Sequence, residues 1–411
     1  MAPRASTLEF RHVFETQVCD LGTDQYLNNE YLRTLLSPSI KVNIKRDVQK
    51  LKEAMIHACK ISSVPHPHVK KVVLTNNALF GFAGSELWTY DFARFLSSRR
   101  VQVLVYSPML GKVSEKIRDA GIQVTCDAKE VFDFCPDILH VNHHPTTGQS
   151  LEGVRPETAV INMIHGILPR PELPGYELID RYCSVSIATK SKTHALTGEA
   201  WDDIEIFPNT FDDGRFLKVR TERTGKALLF SSRARPSQRE QLQQILGPLG
   251  YTLDHVGEGG LLTSAPEDLL AQYDLAFAVG RSAIEASASG CHVVLWDAGI
   301  AGPALTPSNF WLFAAANFAV GSNVLPWISI EGAGGGAEWI REQTAKCIGA
   351  AETTKMTRAY LRLNVQGSRL LAFYEKAAAR KRKAIGCRRS WLMQAWQTAR
   401  SHFFAGNVSP S

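Results

Sequence analysis

From residue 69 onward the chain alternates short, nearly continuous apolar runs with longer segments that are apolar on one side only. The runs Lys71 to Thr75, Val101 to Tyr106, Asp137 to Val141, Ala159 to Ile164 and Cys183 to Ile187 are rich in Val, Ile and Leu and too short for helices. Such runs predict strands buried on both faces, the condition inside a parallel sheet. Glu86 to Ser97 places Trp88, Phe92, Phe95 and Leu96 on one helical face, as a crossover between parallel strands requires. The rhythm starts again after Phe207-Pro208-Asn209, with Ala227 to Phe230, Tyr251 to Val256, Asp274 to Val279 and His292 to Trp296. Two doubly wound α/β units are therefore expected, with no sequence repeat between them.

The ends depart from this rhythm. Asp47 to Lys60 carries Val48, Leu51, Ala54, Met55 and Ala58 at helical spacing, so the first 68 residues read as an appended helical segment. It closes at the proline-broken linker Val64-Pro65-His66-Pro67-His68. Beyond Trp339 the pattern turns helical, and Ala359 to Ala379 predicts a closing helix.

Composition sharpens the picture in three places. A length of 411 residues with 45% hydrophobic and 21% charged residues fits two cores of ordinary size and excludes wholesale disorder. The formal charge of +6 is uneven, because Arg380, Lys381, Arg382, Lys383, Arg388 and Arg389 crowd near the end beside Trp391, Trp396, Phe403 and Phe404. That tail suits an interfacial helix on anionic lipid or a helix packed back on the protein; nucleic acid is a weaker partner for it. The eight cysteines show no C-x-x-C spacing and read as reduced packing residues of an intracellular protein. No signal-peptide pattern opens the chain, and the most apolar window, Phe310 to Val320, is interrupted by Asn317. It falls short of the roughly 20 residues a membrane span needs, so a soluble, cytoplasmic protein is expected, with peripheral membrane contact left to the tail.

In open α/β sheets ligands sit beyond the carboxyl ends of the strands, so chemistry is sought just after each run. Asn76 to Glu86 carries Gly81 and Gly84 between the opening strand and its helix, where exposed amides could approach a phosphate or sugar; a tight turn explains the same glycines. His140-Val141-Asn142-His143-His144-Pro145 ends the strand begun at Asp137, and histidine exchanges protons near neutral pH. No carboxylate or cysteine clusters beside it, so no metal is expected, and a structural histidine is the alternative. Ser231-Ser232-Arg233-Ala234-Arg235 leaves the first strand of the second unit; guanidinium groups there can bind a diphosphate bidentately, although alone they read as a solvated turn. From Val279 to Cys291, Gly280 permits a sharp turn, Ser282 can cap, the amides of Ser282 and Ala283 face any phosphate, and Glu285 needs a partner. A ribose diol or a neighbouring basic group would satisfy it. Arg281, and Gly257 after the strand Tyr251 to Val256, complete the candidate phosphate-binding set. The run Gly332-Ala333-Gly334-Gly335-Gly336 follows no strand and reads as a surface loop; no P-loop sequence occurs.

Taken in order, these segments resemble the retaining glycosyltransferases of the large GT-B family that includes bacterial mannosyltransferases and sucrose synthases, over Lys71 to Lys376. The resemblance is carried by Ala83-Gly84-Ser85-Glu86, by Asp137 to His144, by Ile206 to Asp212 with Arg215 and Phe216, by Ser231-Ser232-Arg233 and by Glu285 to Gly290. Two positions depart from it. The family's phosphate lysine falls on Gln238, with Arg235 or Arg239 able to supply the charge, and the first glutamate of its usual pair falls on Phe277. A Gly-Arg-x-Ala-x-Glu subgroup with Asn309-Phe310 and Asn317-Phe318 pairs is similar in the second respect.

The resemblance implies an α/β fold of two Rossmann-like doubly wound domains (GT-B) with an N-terminal helical extension, 1–68, and a basic amphipathic tail, 377–411. Between these lie an acceptor domain, 69–212, and a nucleotide-sugar domain, 213–376. It implies a UDP- or GDP-sugar as donor, no tightly bound cofactor, no metal, and an acceptor that is a glycan, a lipid-linked molecule or another compound. Arg233 would meet the departing diphosphate, the Ser282 and Ala283 amides would cradle it, Glu285 would hold the ribose, and His143, Asn142 or His144 would face the sugar. A nucleotide-sugar epimerase of the same fold and a non-catalytic sugar-nucleotide-binding scaffold are the alternatives, the latter because of Phe277.

Overall fold

The computed structural model describes residues 38–60, 68–82, 84–150, 154–166, 178–263, 265–320, 325–331, 335–347 and 350–379. Residues 1–37, most of the proline linker, positions 332–334 of the glycine run and the whole basic tail from 380 lie outside them.

The first unit is a seven-stranded parallel sheet in the order β3-β2-β1-β4-β5-β6-β7. Its strands are β1 (Lys71–Thr75), β2 (Gln102–Tyr106), β3 (Gln123–Thr125), β4 (Ile138–Val141), β5 (Ala159–Ile164), β6 (Arg181–Ser184) and β7 (Glu205–Ile206). After the opening helix α1 (Pro38–Lys60), α2 (Gly84–Ser98), α3 (Lys112–Asp119), α4 (Ala128–Phe134), α5 (His144–Ser150) and α6 (Ile187–Thr197) connect them. Trp88, Phe92, Phe95 and Leu96 on α2 are all buried in one core with Val72 and Leu74 of β1, as their spacing predicts. The expected strand Cys183 to Ile187 is corrected at its end. Ser186 accepts a hydrogen bond from the Thr189 amide (3.2 Å) and caps α6, so the chain leaves the sheet after Ser184.

The second unit is six-stranded, in the order β13-β12-β11-β10-β8-β9. The strands β8 (Lys226–Phe230), β9 (Thr252–Val256), β10 (Leu275–Ala278) and β11 (His292–Asp297) run parallel. An antiparallel flank follows, β12 (Ile300–Ala304) and β13 (Ile328–Ser329), which the apolar pattern does not predict. The helices are α7 (Pro236–Leu246), α8 (Gly280–Ala288), α9 (Phe310–Ala315), α10 (Gly336–Ala345), α11 (Ala350–Tyr360) and α12 (Leu363–Ala379).

Both ends of the described chain tie the units together. On α1, Leu51 and Met55 enter the core of the second unit, while Asp47 forms a buried ion pair with Lys190 of α6 (3.0 Å) and accepts from the Trp201 indole (2.8 Å). The closing helix expected over Ala359 to Ala379 is two helices. Their break falls where Phe211, on the way out of the first unit, donates to Leu361 O (3.2 Å) and accepts from Leu363 N (2.9 Å). Helix α12 then returns to the first core, with Leu370, Leu371, Phe373 and Tyr374 buried there. Gly367 permits that return, because a Cβ at this position would lie 2.7 Å from the Phe95 ring of α2. Among the described residues no helix is long and apolar enough to cross a membrane.

Candidate functional site

In a parallel sheet the strand order reverses at one place, and there the two crossover helices leave to opposite faces and open a crevice at the strand ends. In the first sheet the switch lies between β1 and β4; in the second it lies between β8 and β10. Asn76 and Asn77 follow β1, and Asn142 and His143 follow β4. Ser231 to Arg233 follow β8, and Val279 and Gly280 follow β10. All four candidate segments thus begin at a switch point by topology alone, and the first of them runs on to Gly84, where α2 begins.

At the first switch point the groups are amides and imidazoles. The Asn77 amide donates to His143 Nδ1 (3.1 Å), so the buried His143 ring carries its proton on Nε2 and acts there as a donor. Asn142 Nδ2 donates to Thr75 O (2.7 Å), and its Oδ1 lies 3.1 Å from His140 Nε2 and 3.0 Å from His165 Nε2. His165 follows β5 and is half-buried, its ring 6.3 Å from that of His143. Burial, and secondly the neighbouring His165, push the His140 pKa down to about 3, so this ring is neutral at physiological pH. The side chain of His144 lies outside the described residues. Gly84 begins α2, and a Cβ there would meet nothing within 4 Å among the described residues.

At the second switch point the groups are charged. Arg233 Nη2 lies 2.7 Å from Asp297 Oδ2 at the end of β11, so the exposed guanidinium reaches past the end of β10, which stands between. Arg235 pairs instead with Glu331, away from the switch point, and lines a groove of about 470 Å³ with Arg239 and His255 between α7 and β9. Gly257 backs onto the Ser231 carbonyl, where a Cβ would lie at 2.1 Å, and its φ of +136° is barred to other residues. Gly280, at φ +57°, starts α8 and gives its amide to Phe318 O (2.8 Å). That carbonyl is presented by two successive left-handed residues, Asn317 (φ +55°) and Phe318 (φ +54°), a strained pair stabilised by Asn317 Oδ1 accepting from the Asn209 amide (2.7 Å). Ser282 makes no capping bond; Val279 is the N-cap. Among the described residues the amides of Arg281 and Ser282 have no acceptor, as is normal for a first helical turn, whereas Ala283 N donates to Val279 O (3.4 Å).

Arg281 joins the helices that leave the two switch points. Its Nε donates to Glu285 Oε1 (2.7 Å), one turn on in α8, and its Nη2 lies 2.6 Å from Asp91 Oδ2 of α2 in the first unit. The second contact is off the N–H direction: both Asp91 oxygens lack a hydrogen-bond donor among the described residues, so this attraction is coulombic. Burial raises the Glu285 pKa and Arg281 opposes that rise. Burial works against the charge of Arg281 as well, but the Asp91 and Glu285 carboxylates outweigh it and raise its pKa. Arg215–Glu267 (2.7 Å) and Arg94–Asp212 (2.7 Å) surround the triad, and burial together with Arg215 lowers the pKa of the adjacent Lys116.

Asp91 and His165 were not among the sequence candidates. His165 satisfies the strand-end rule applied to its neighbours, and Asp91 borders the apolar stripe of α2, so each carried a readable signal. Helix α2 also links them: Trp88 stacks on His140 (5.0 Å) and meets His165 edge-on (5.2 Å) one turn before Asp91. No cluster able to hold a metal ion occurs among the described residues.

No protein-family model matches the chain, and no curated protein is similar to it in sequence. Solved structures are similar in fold. A glycosyltransferase from Rickettsia africae superposes with a TM-score of 0.55 at 12% identity, over 76% of this chain and 99% of that one. Anabaena HepE in complex with UDP superposes with a TM-score of 0.52 at 14% identity, over 75% of this chain and 100% of its own. The chain has the α/β fold of two Rossmann-like units found in GT-B proteins.

Proposed function

We propose that this chain transfers a sugar from a nucleotide-diphosphate sugar to an acceptor, with retention at the anomeric carbon. The observation that carries the reading is the Asp91–Arg281–Glu285 triad, which ties α8, the helix leaving the second switch point, to α2, the helix leaving the first. The fold is shared with HepE, which holds UDP and UDP-glucose.

In this reading Arg233, oriented by Asp297, and the amide of Ser282 receive the diphosphate, with Gly280 and Gly257 keeping the backbone close enough; the Ala283 amide, expected beside it, is taken by Val279 O. The bond from the anomeric carbon to the diphosphate breaks with its electron pair on the phosphate oxygen. The acceptor oxygen bonds to the same face of that carbon, and its proton passes to the departing phosphate. Charge developing on the leaving group is met by fixed guanidinium and helix dipoles. Glu285 takes the ribose diol, for which it shares its carboxylate with Arg281. From the first unit His143 and His165 approach the sugar, and the start of α2 at Gly84 faces it. The chain's own cations supply what the diphosphate needs.

Calorimetry with UDP and GDP, followed by UDP-glucose turnover, tests the reading. Arg233→Ala is expected to lower turnover by about 100-fold, in the range for removal of one transition-state donor. An unchanged rate removes Arg233 from the mechanism, and failure of both nucleotides to bind the native chain refutes the reading.

A further inference from the structure

We infer that Asn142, backed by His140 and by Tyr374 of α12, is a positioning residue that locks the His165 ring in its Nε2–H tautomer at the first switch point.

The argument begins with the orientation of one amide. Asn142 Nδ2 lies 2.7 Å from Thr75 O, and a carbonyl oxygen only accepts, so the nitrogen of the amide must face it. Rotating the amide by half a turn would bring two acceptors together at that distance and turn the NH₂ towards both histidines. Oδ1 is therefore fixed towards His140 Nε2 (3.1 Å) and His165 Nε2 (3.0 Å), and an amide oxygen has two lone pairs to accept both. Each of those nitrogens must carry a proton.

The consequence continues outward from His140. With Nε2 protonated and the ring neutral, its Nδ1 is an acceptor, and the Tyr374 hydroxyl lies 2.8 Å away to donate to it. Every member of this chain, Thr75 O, Asn142, His140 and Tyr374, is fully buried, so a reversal of any one would leave an unpaired polar group in the core. The Trp88 ring, against His140 and His165, restricts their rotation. The chain runs in one direction only: tyrosine to His140 Nδ1, His140 Nε2 to Asn142, and His165 Nε2 to the same oxygen. Its last member keeps the basic lone pair of the imidazole on Nδ1. Tyr374 lies 234 residues from His140 in sequence and comes from beyond the second sheet, so α12 contributes to the chemistry of the first unit.

The use of this histidine on a sugar rests on the reading given under Proposed function; its tautomer does not. Nitrogen-15 NMR of histidine-labelled full chain, with His165→Gln to assign the ring, reads the tautomer directly. Native protein at neutral pH is expected to show His165 protonated at Nε2, and Asn142→Leu to move both ring nitrogens towards averaged positions. Tyr374→Phe, in which only a hydroxyl is lost, should shift His165 in the same sense as Asn142→Leu but less, and covers the case in which that variant does not fold. A native His165 protonated at Nδ1, or spectra of Asn142→Leu and Tyr374→Phe identical to native, overturns the inference. UDP calorimetry on the same samples separates the two questions: loss of nucleotide binding by the native chain refutes the proposed function and leaves the tautomer result standing.

Discussion

The two switch points solve the same problem, placing polar groups at the ends of buried strands, by opposite means. At the first, Asn142, His140 and Tyr374 are uncharged and satisfy one another by directed hydrogen bonds. At the second, Arg233 and Arg281 are held by the carboxylates of Asp297, Glu285 and Asp91. A neutral network costs little to bury once every donor and acceptor is matched, and it fixes orientation. Paired charges are costly to bury and weakly directional, but they offer a strong field to an incoming anion. The first region is built for geometry and the second for electrostatics.

The contrast can be broken by experiment, starting with its largest expected effect. Arg281→Leu strips the counter-charge from two buried carboxylates and is expected to cost about 3–5 kcal/mol in urea unfolding. Adding Asp91→Asn and Glu285→Gln should recover most of that loss; a single variant as stable as the native chain would show that the triad is not a buried ion pair at all. Gly257→Ala forces a Cβ onto the Ser231 carbonyl at a left-handed φ, with an expected loss of roughly 2–3 kcal/mol, whereas Gly84→Ala meets open space and should be nearly neutral. Equal melting temperatures for the two glycine variants would contradict the packing described at Gly257.

Acid separates the regions next. A His140 pKa lowered from its ordinary 6.5 to about 3 means that the unfolded chain takes up a proton which the folded chain refuses. Its contribution is present above pH 6.5 and is lost on acidification towards pH 3, with a slope approaching about 1.4 kcal/mol per pH unit. His140→Gln should flatten that part of the stability profile, and a native profile level between pH 6 and pH 4 would deny the neutral buried ring. Smallest of all, Arg233→Ala removes an exposed guanidinium and should change unfolding free energy by about 1 kcal/mol or less, although turnover is expected to fall about 100-fold.

Much of this was legible in the chain. The runs that became β1, β4, β5, β8, β10 and β11 are apolar because both faces of each strand are covered, and that constraint is local enough to be written in consecutive residues. The carboxylate of Glu285 announced a need for a partner; the partner, Arg281, stands one helical turn away, while the second carboxylate on that guanidinium comes from α2. What could not be read are contacts whose two halves are far apart in sequence. Nothing near Tyr374 distinguishes a hydroxyl that reaches His140 from one at an ordinary core edge, and nothing near Asp91 names Arg281. The flank β12 and β13 was missed because Ile300–Ala304 contains Gly302 and Pro303 and lacks the apolar density of a central strand.

The crossing of Phe211 with Leu361 and Leu363 bears on how the two lobes are joined. Two stretches of backbone pass between the lobes side by side and are bonded to each other, so the lobes are mounted as a door on two pins. A single tether would let them swivel and slide; a paired one permits swinging about one line and resists twisting. Cutting the chain after Tyr360 would remove one pin, and the lobes would then gain torsional freedom as well as losing the Tyr374 hydroxyl.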